Sequence, residues 1–167
     1  MEQSKILVAC HEKLAFIQVI GRGSFQNAGQ AKSFYTELLK HGVERFVVDL
    51  NECTYLDSTF LGTLTGLGLK LREAANGKLH IVNVSTRNME LLQTLGLDRL
   101  FAIDVCALDF KPKKLDEVAP VRQSKEQSGQ DMLEAHENLI RWDERNAPKF
   151  KDVVTYLRED LGLPPAE

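Results

Sequence analysis

The sequence predicts an α/β fold: a mixed β-sheet in the order β-β-α-β-α-β-α-β, covered by helices, with a C-terminal helical hairpin. Three observations carry this. Apolar runs of strand length alternate with helix-period stretches up to about residue 110. Each β-α-β step through a crossover helix implies parallel pairing. Beyond residue 110 a polar stretch with Pro112, Pro120 and Gly129 separates two further amphipathic periods. The chain divides accordingly into a domain over 1–110, a linker over 111–129 and a helical extension over 130–167.

Ile6–Cys10 and Ala15–Ile20 are apolar runs joined by His11-Glu12-Lys13 and read as an antiparallel hairpin that forms one edge of the sheet. Gly21-Arg22-Gly23 breaks the second strand. Asn27 is the expected cap of a helix that runs to His41, with Ala31, Phe34, Tyr35, Leu38 and Leu39 at helical spacing. Phe46–Leu50 reads as a strand buried on both faces. A turn with Asn51, Glu52 and Thr54 leads to Asp57-Ser58-Thr59 and a helix to Ala75, stopped by Asn76-Gly77. Leu79–Val84 is the next strand, Thr86 to Leu95 the third helix, and Leu100–Ile103 the last strand. In the extension, Met132, Leu133, His136, Leu139 and Ile140 suit one helix. Phe150, Val153, Val154, Leu157 and Leu161 suit another, with Asn146 as cap and Pro148 in its first turn. This apolar seam has to cover the domain, a second subunit or a partner, so a homodimer through the hairpin is one expectation.

Composition narrows the function. The 167 residues are 43% apolar and 27% charged, enough for a core without metal or disulfides. A net charge of −3 argues against a broad nucleic-acid footprint. No stretch is long and apolar enough for a membrane helix. Cys10, Cys53 and Cys106 are odd in number and widely spaced, which favours buried free thiols in a reducing cytoplasm. His11, His41, His80 and His136 stand at no metal spacing and are expected at the surface or at caps. No cofactor loop, metal set or nucleophile with an evident base is legible, so an enzyme is not expected. Gly21-Arg22-Gly23-Ser24 lacks the remaining residues of a nucleotide loop and reads as a turn. Gly62, Gly66 and Gly68 inside one helix indicate close packing of that helix on the sheet. Trp142 is expected to pack within the hairpin.

The stretch that carries function is Val47 to Phe101. Asp57 and Ser58 stand where a turn enters a helix, and both residue types accept hydrogen bonds from the free N–H groups of a first turn. The same helix end favours negative charge, so a phosphate on Ser58 would be well placed there. A plain helix cap explains the same two residues.

This stretch resembles the STAS domain, named for sulfate transporters and anti-sigma factor antagonists. The resemblance is carried by Val47-Val48-Asp49-Leu50, by Asp57-Ser58-Thr59-Phe60-Leu61-Gly62 at the helix start, by Asn76-Gly77-Lys78-Leu79, by Asn83-Val84-Ser85, and by Gly96-Leu97-Asp98-Arg99-Leu100-Phe101. It spans roughly residues 5 to 110. It implies a STAS-like mixed sheet and a bacterial, non-catalytic regulatory module, here an anti-sigma factor antagonist. A partner anti-sigma kinase would phosphorylate Ser58 and lose its grip on the antagonist, and a phosphatase would restore binding. Thr59 is the alternative acceptor. Asp49, Asn51, Asp57, Thr59, Phe60, Leu61 and Gly62 would shape the docking surface. Phe60 departs from the family, which carries Gly there. Turned inward it plugs the core; turned outward it narrows a kinase's access or offers an apolar contact to a different partner. The second reading is a constitutive STAS scaffold in a stress-signalling or lipid-transport assembly, without a phosphate cycle.

Overall fold

The computed structural model describes residues 3–104 and 112–166. Strands β1 (Lys5–His11) and β2 (Leu14–Gly23) form the expected hairpin, with Lys5 opposite Ile20 and His11 opposite Leu14. β3 (Arg45–Asp49), β5 (His80–Val82) and β6 (Ala102–Ile103) extend the sheet from β2 in parallel. Two further strands lie outside the sequence reading. β4 (Cys53–Leu56) pairs with the far end of β2, and β7 (Asp116–Glu117) pairs antiparallel with β1. The sheet order is β6-β5-β3-β2-β1-β7, so the hairpin is not an edge and part of the expected linker belongs to the sheet.

β2 does not break at Gly21-Arg22-Gly23. Its register shifts there, and the strand leaves β3 for β4, setting Arg22 opposite Tyr55 and Gly23 opposite Leu56. Gly23 is needed for closeness: a Cβ there would lie 2.8 Å from Leu56 and 3.0 Å from the Phe60 ring.

Strand alternation separates two apolar faces. Ala15, Ile17, Phe46, Val48 and Ile81 join the main core with the helices, whereas Phe16, Val47 and Val82 form a smaller cluster with Leu115. Over the main face lie α1 (Ala28–Lys40), α2 (Ser58–Ala75) and α3 (Thr86–Thr94). Asn27 stands at the N-cap position of α1, as expected, but its side chain makes no cap hydrogen bond. Its side chain accepts from the Ser24 N–H and donates to the Arg22 carbonyl, which fixes the β2–α1 loop instead. Of the cysteines, Cys53 is buried, and burial pushes its thiol pKa up; Cys10 is exposed, against expectation. Cys106 and the expected boundary at residue 110 lie outside the described residues.

The extension forms α4 (Lys125–Trp142) and α5 (Ala147–Asp160), joined by a short 3-10 turn at Glu144–Asn146. α4 starts before residue 130 because Ser124 caps it, accepting from the Gln127 N–H. Leu133, Val154 and Leu157 make the seam between α4 and α5. The pair covers the domain of its own chain. Leu139 is fully buried in the main core. Trp142 packs on the domain rather than inside the hairpin, and its indole N–H donates to the Gly96 carbonyl at 2.7 Å. Asn146, expected as a cap, is fully buried and donates to the carbonyls of Leu95 and Leu139. Asp143 accepts from Arg145 and from Arg99 of the domain. These contacts, the Arg145 hydrogen bonds foremost, hold its carboxyl well below the usual range. Lys32 of α1 bridges to Asp131 and Glu134 of α4 at 3.0 and 2.8 Å.

Gly62 and Gly66 face α4, not the sheet. A Cβ on Gly62 would run into the Ala135 carbonyl, and the Asn138 side chain lies across Gly66. Gly62→Ala is therefore expected to cost about 2–3 kcal/mol by overpacking, a fall of roughly 5–10 °C in Tm. Gly77→Ala meets only ordinary contact, at 3.7 Å, and should leave Tm within about 2 °C. Equal melting of the two variants by calorimetry would contradict this seat for α4.

Candidate functional site

The site is the corner where β4 passes into α2. Asp57 is extended, with φ −102° and ψ 172°, and its side chain caps the helix. One carboxylate oxygen accepts from the Phe60 N–H at 2.8 Å, the other from the Phe25 N–H at 2.8 Å. A single side chain thus holds the first turn of α2 and the β2–α1 loop together. The backbone N–H of Asp57 also donates to the Gly23 carbonyl, tying the corner to β2.

Ser58 opens α2 and is half-buried. Its Oγ lies 2.9 Å from Nε2 of His136 on α4. The other ring nitrogen, Nδ1, lies 2.7 Å from the Met132 carbonyl. A carbonyl only accepts, so Nδ1 carries a proton, and in the neutral imidazole Nε2 is left to receive the Ser58 hydroxyl. His136 is 3% exposed and packs against Phe150, with ring centroids 5.2 Å apart. This is an unexpected place for a histidine assigned to the surface or a cap. The signal was its position in the apolar stripe with Met132 and Leu139, since a lone polar group on a buried face needs a hydrogen-bond partner. Chemically, the pair offers a hydroxyl whose proton already points at an imidazole, next to the free N–H groups of a helix start.

The structure moves much of the expected docking surface inside. Phe60 is fully buried and plugs the core beside Gly23. Leu61 is 1% exposed, and Gly62 lies under the α4 backbone. Thr59, the alternative acceptor, is buried as well, and its carbonyl accepts from the Thr63 hydroxyl. These four positions face their own chain. Asp49 and Asn51 form a separate cluster: one Asp49 oxygen accepts from the Asn51 N–H and the Asn83 amide, both at 2.9 Å. Of the sequence-derived set, only Asp57 and Ser58 meet at the corner, joined by His136, which the sequence reading did not include.

Ser58→Ala leaves the buried Nε2 without a donor, and His136→Phe removes the ring acceptor from the hydroxyl. Each is expected to cost about 1–2 kcal/mol in urea unfolding. The double variant should fall short of their sum by about 1 kcal/mol. Strict additivity would mean that the two groups do not interact in solution.

The comparisons with known proteins bear on the domain beneath this corner. A family model described as "Mlab, STAS domain" matches residues 10–103, more than half of the chain. Among solved structures, a Thermotoga maritima protein described as an anti-sigma factor antagonist superposes with a TM-score of 0.52 at 20% identity, over 57% of this chain and 82% of that one. An anti-sigma factor antagonist from Mycobacterium paratuberculosis gives 0.52 at 18% identity, over 64% and 90%. At such identities the likeness speaks for the fold. No curated protein matches the chain in sequence. α4 and α5 lie beyond the matched family span. With its mixed sheet and the family match across its domain, the chain belongs to the STAS-domain family, a family of non-catalytic scaffold and regulatory proteins.

Proposed function

We propose that this protein is an anti-sigma factor antagonist of the cytoplasm, switched by reversible phosphorylation of Ser58. Its partners in this reading are an anti-sigma kinase and a phosphatase. The observation that carries it is the Ser58 hydroxyl, at the first turn of α2 with its proton directed to His136. The chemistry of transfer belongs to the kinase; this chain supplies the acceptor. When Oγ attacks the terminal phosphorus of a nucleoside triphosphate, the bond from that phosphorus to the bridging oxygen breaks, the nucleoside diphosphate leaves, and the Ser58 proton has an acceptor in Nε2. Once phosphorylated, Oγ has no proton to donate. The contact with His136 then has to be remade between Nε2 and a phosphate oxygen, with one proton shared between them, beside a group carrying about −1.5 to −2 charge. Phosphorylation and the seating of α4 are coupled through this one contact.

The second reading, a constitutive scaffold in a stress-signalling or lipid-transport assembly, is favoured by a different observation. α4 covers Gly62, and the hydroxyl of Ser58 is already engaged. In this conformation a kinase meets a half-closed corner.

Intact-mass and phosphosite analysis of the full chain from its native host, wild type against Ser58→Ala, separates the two. One phosphate in the wild type and none in the variant is the expected result. Phosphate retained in the variant would move the acceptor to another residue; at Thr59 it would require the first turn of α2 to open. Absence of phosphate under every growth condition would leave the scaffold as the function.

A further inference from the structure

With one side of the corner closed by α4, the opposite side remains open, and its chemistry is distinctive. Phe25 is 57% exposed. It sits on a loop that is held rather than loose: its own N–H is bound by Asp57, and Asn27 bridges Ser24 and Arg22 beside it. Beside this loop, across the β2–β4 pairing, the guanidinium groups of Arg22 and Arg87 lie 4.7 and 5.8 Å from the centre of the Tyr55 ring. Both arginines are exposed, and neither takes part in an ion pair among the described residues. Both oxygens of Asp57 are taken by backbone N–H groups, and Glu52 accepts from Gln18. Two cations without an ion-pair partner among the described residues thus share one aromatic ring on a chain of net charge −3.

We propose that Phe25, Arg22, Tyr55 and Arg87 form the docking surface for an acidic segment of a partner protein. The proposal deepens the functional reading above and rests on its view of the Ser58 corner as the partner-facing end. Charge complementarity decides the occupant: the two guanidiniums take carboxylates, and exposed Phe25 takes an apolar side chain of the same segment. Arg and aromatic residues are also the types that concentrate binding energy, and a loop fixed in advance loses little entropy on binding.

The test places a photo-crosslinking phenylalanine analogue at position 25 of the full chain in its native host, with position 156, somewhat more open on α5, as control. A protein adduct at 25 and not at 156 is expected, joined through a peptide rich in Asp and Glu. Arg22→Glu with Arg87→Glu should cut its yield about tenfold, as for loss of a binding hot spot. Arg22→Lys with Arg87→Lys should retain most of it, and raised salt should lower it in the wild type. No adduct, a nuclease-sensitive adduct, a basic crosslinked peptide or an adduct indifferent to charge reversal would each overturn the proposal. Far-UV circular dichroism and Tm of the Glu variant exclude misfolding as the cause of a loss. Ser58 phosphate, measured in the same cells, keeps the readings apart. A charge-dependent adduct without phosphate sinks the phosphorylation switch alone, and phosphate without an adduct sinks the docking surface alone.

Discussion

Residues 59 to 69 of α2 are buried without interruption, about three full turns of helix. A helix with no exposed stripe has to be covered on every side. The sheet covers one side through Phe60, Leu64 and Leu67, and α1 contributes Tyr35, whose hydroxyl donates to the Thr63 carbonyl. The remaining side has to be supplied by something else, and here it is α4. The polar groups inside this helix are consistent with such burial. Thr63 and Thr65 return their hydroxyls to carbonyls one turn earlier, so no donor is stranded there.

The seat of α4 is shaped by missing side chains. Gly62 lets the Ala135 backbone approach, and Asn138 donates to the Gly62 carbonyl from within the same contact. Polar anchors at the far end set how the hairpin lies. Trp142 reaches the Gly96 carbonyl, Asn146 ties the end of α3 to α4, and Asp143 gathers Arg99 and Arg145. Buried polar groups of this kind tolerate few alternative arrangements, because a shifted helix would leave them unsatisfied. The extension is thus built into the domain's core rather than tethered beside it.

The same seating creates the functional corner. His136 reaches Ser58 only because α4 lies along α2, so the state of the hydroxyl and the seating of the hairpin are parts of one arrangement. Asp57 performs the complementary task on the other side, fixing the Phe25 loop to the helix start with two hydrogen bonds. The corner therefore has a closed side built by the extension and an open side built by the β2–α1 loop, with Ser58 between them.

Local sequence determined the hairpin, the three domain helices, the parallel β-α-β order and the Asp57-Ser58 helix start. Each of these follows from short-range rules: alternation, helical spacing, capping and turn residues. Local rules could not reach β4 and β7. Both are short pairings made by neighbours distant in sequence, and β2 continues through its glycines only because β4 receives it. Nor could they settle Phe60, whose inward turn depends on the space left by Gly23, or the side of α2 that Gly62 presents. The apolar stripe of the extension was legible, and so was its need for a cover, but a stripe does not name its partner. Tertiary packing made that choice and, with it, placed a histidine from the chain's last quarter against the hydroxyl that the sequence had singled out. The physical reason is that hydrophobic periodicity encodes which face is buried, whereas the meeting of two distant side chains is encoded only in the packing of the elements that carry them.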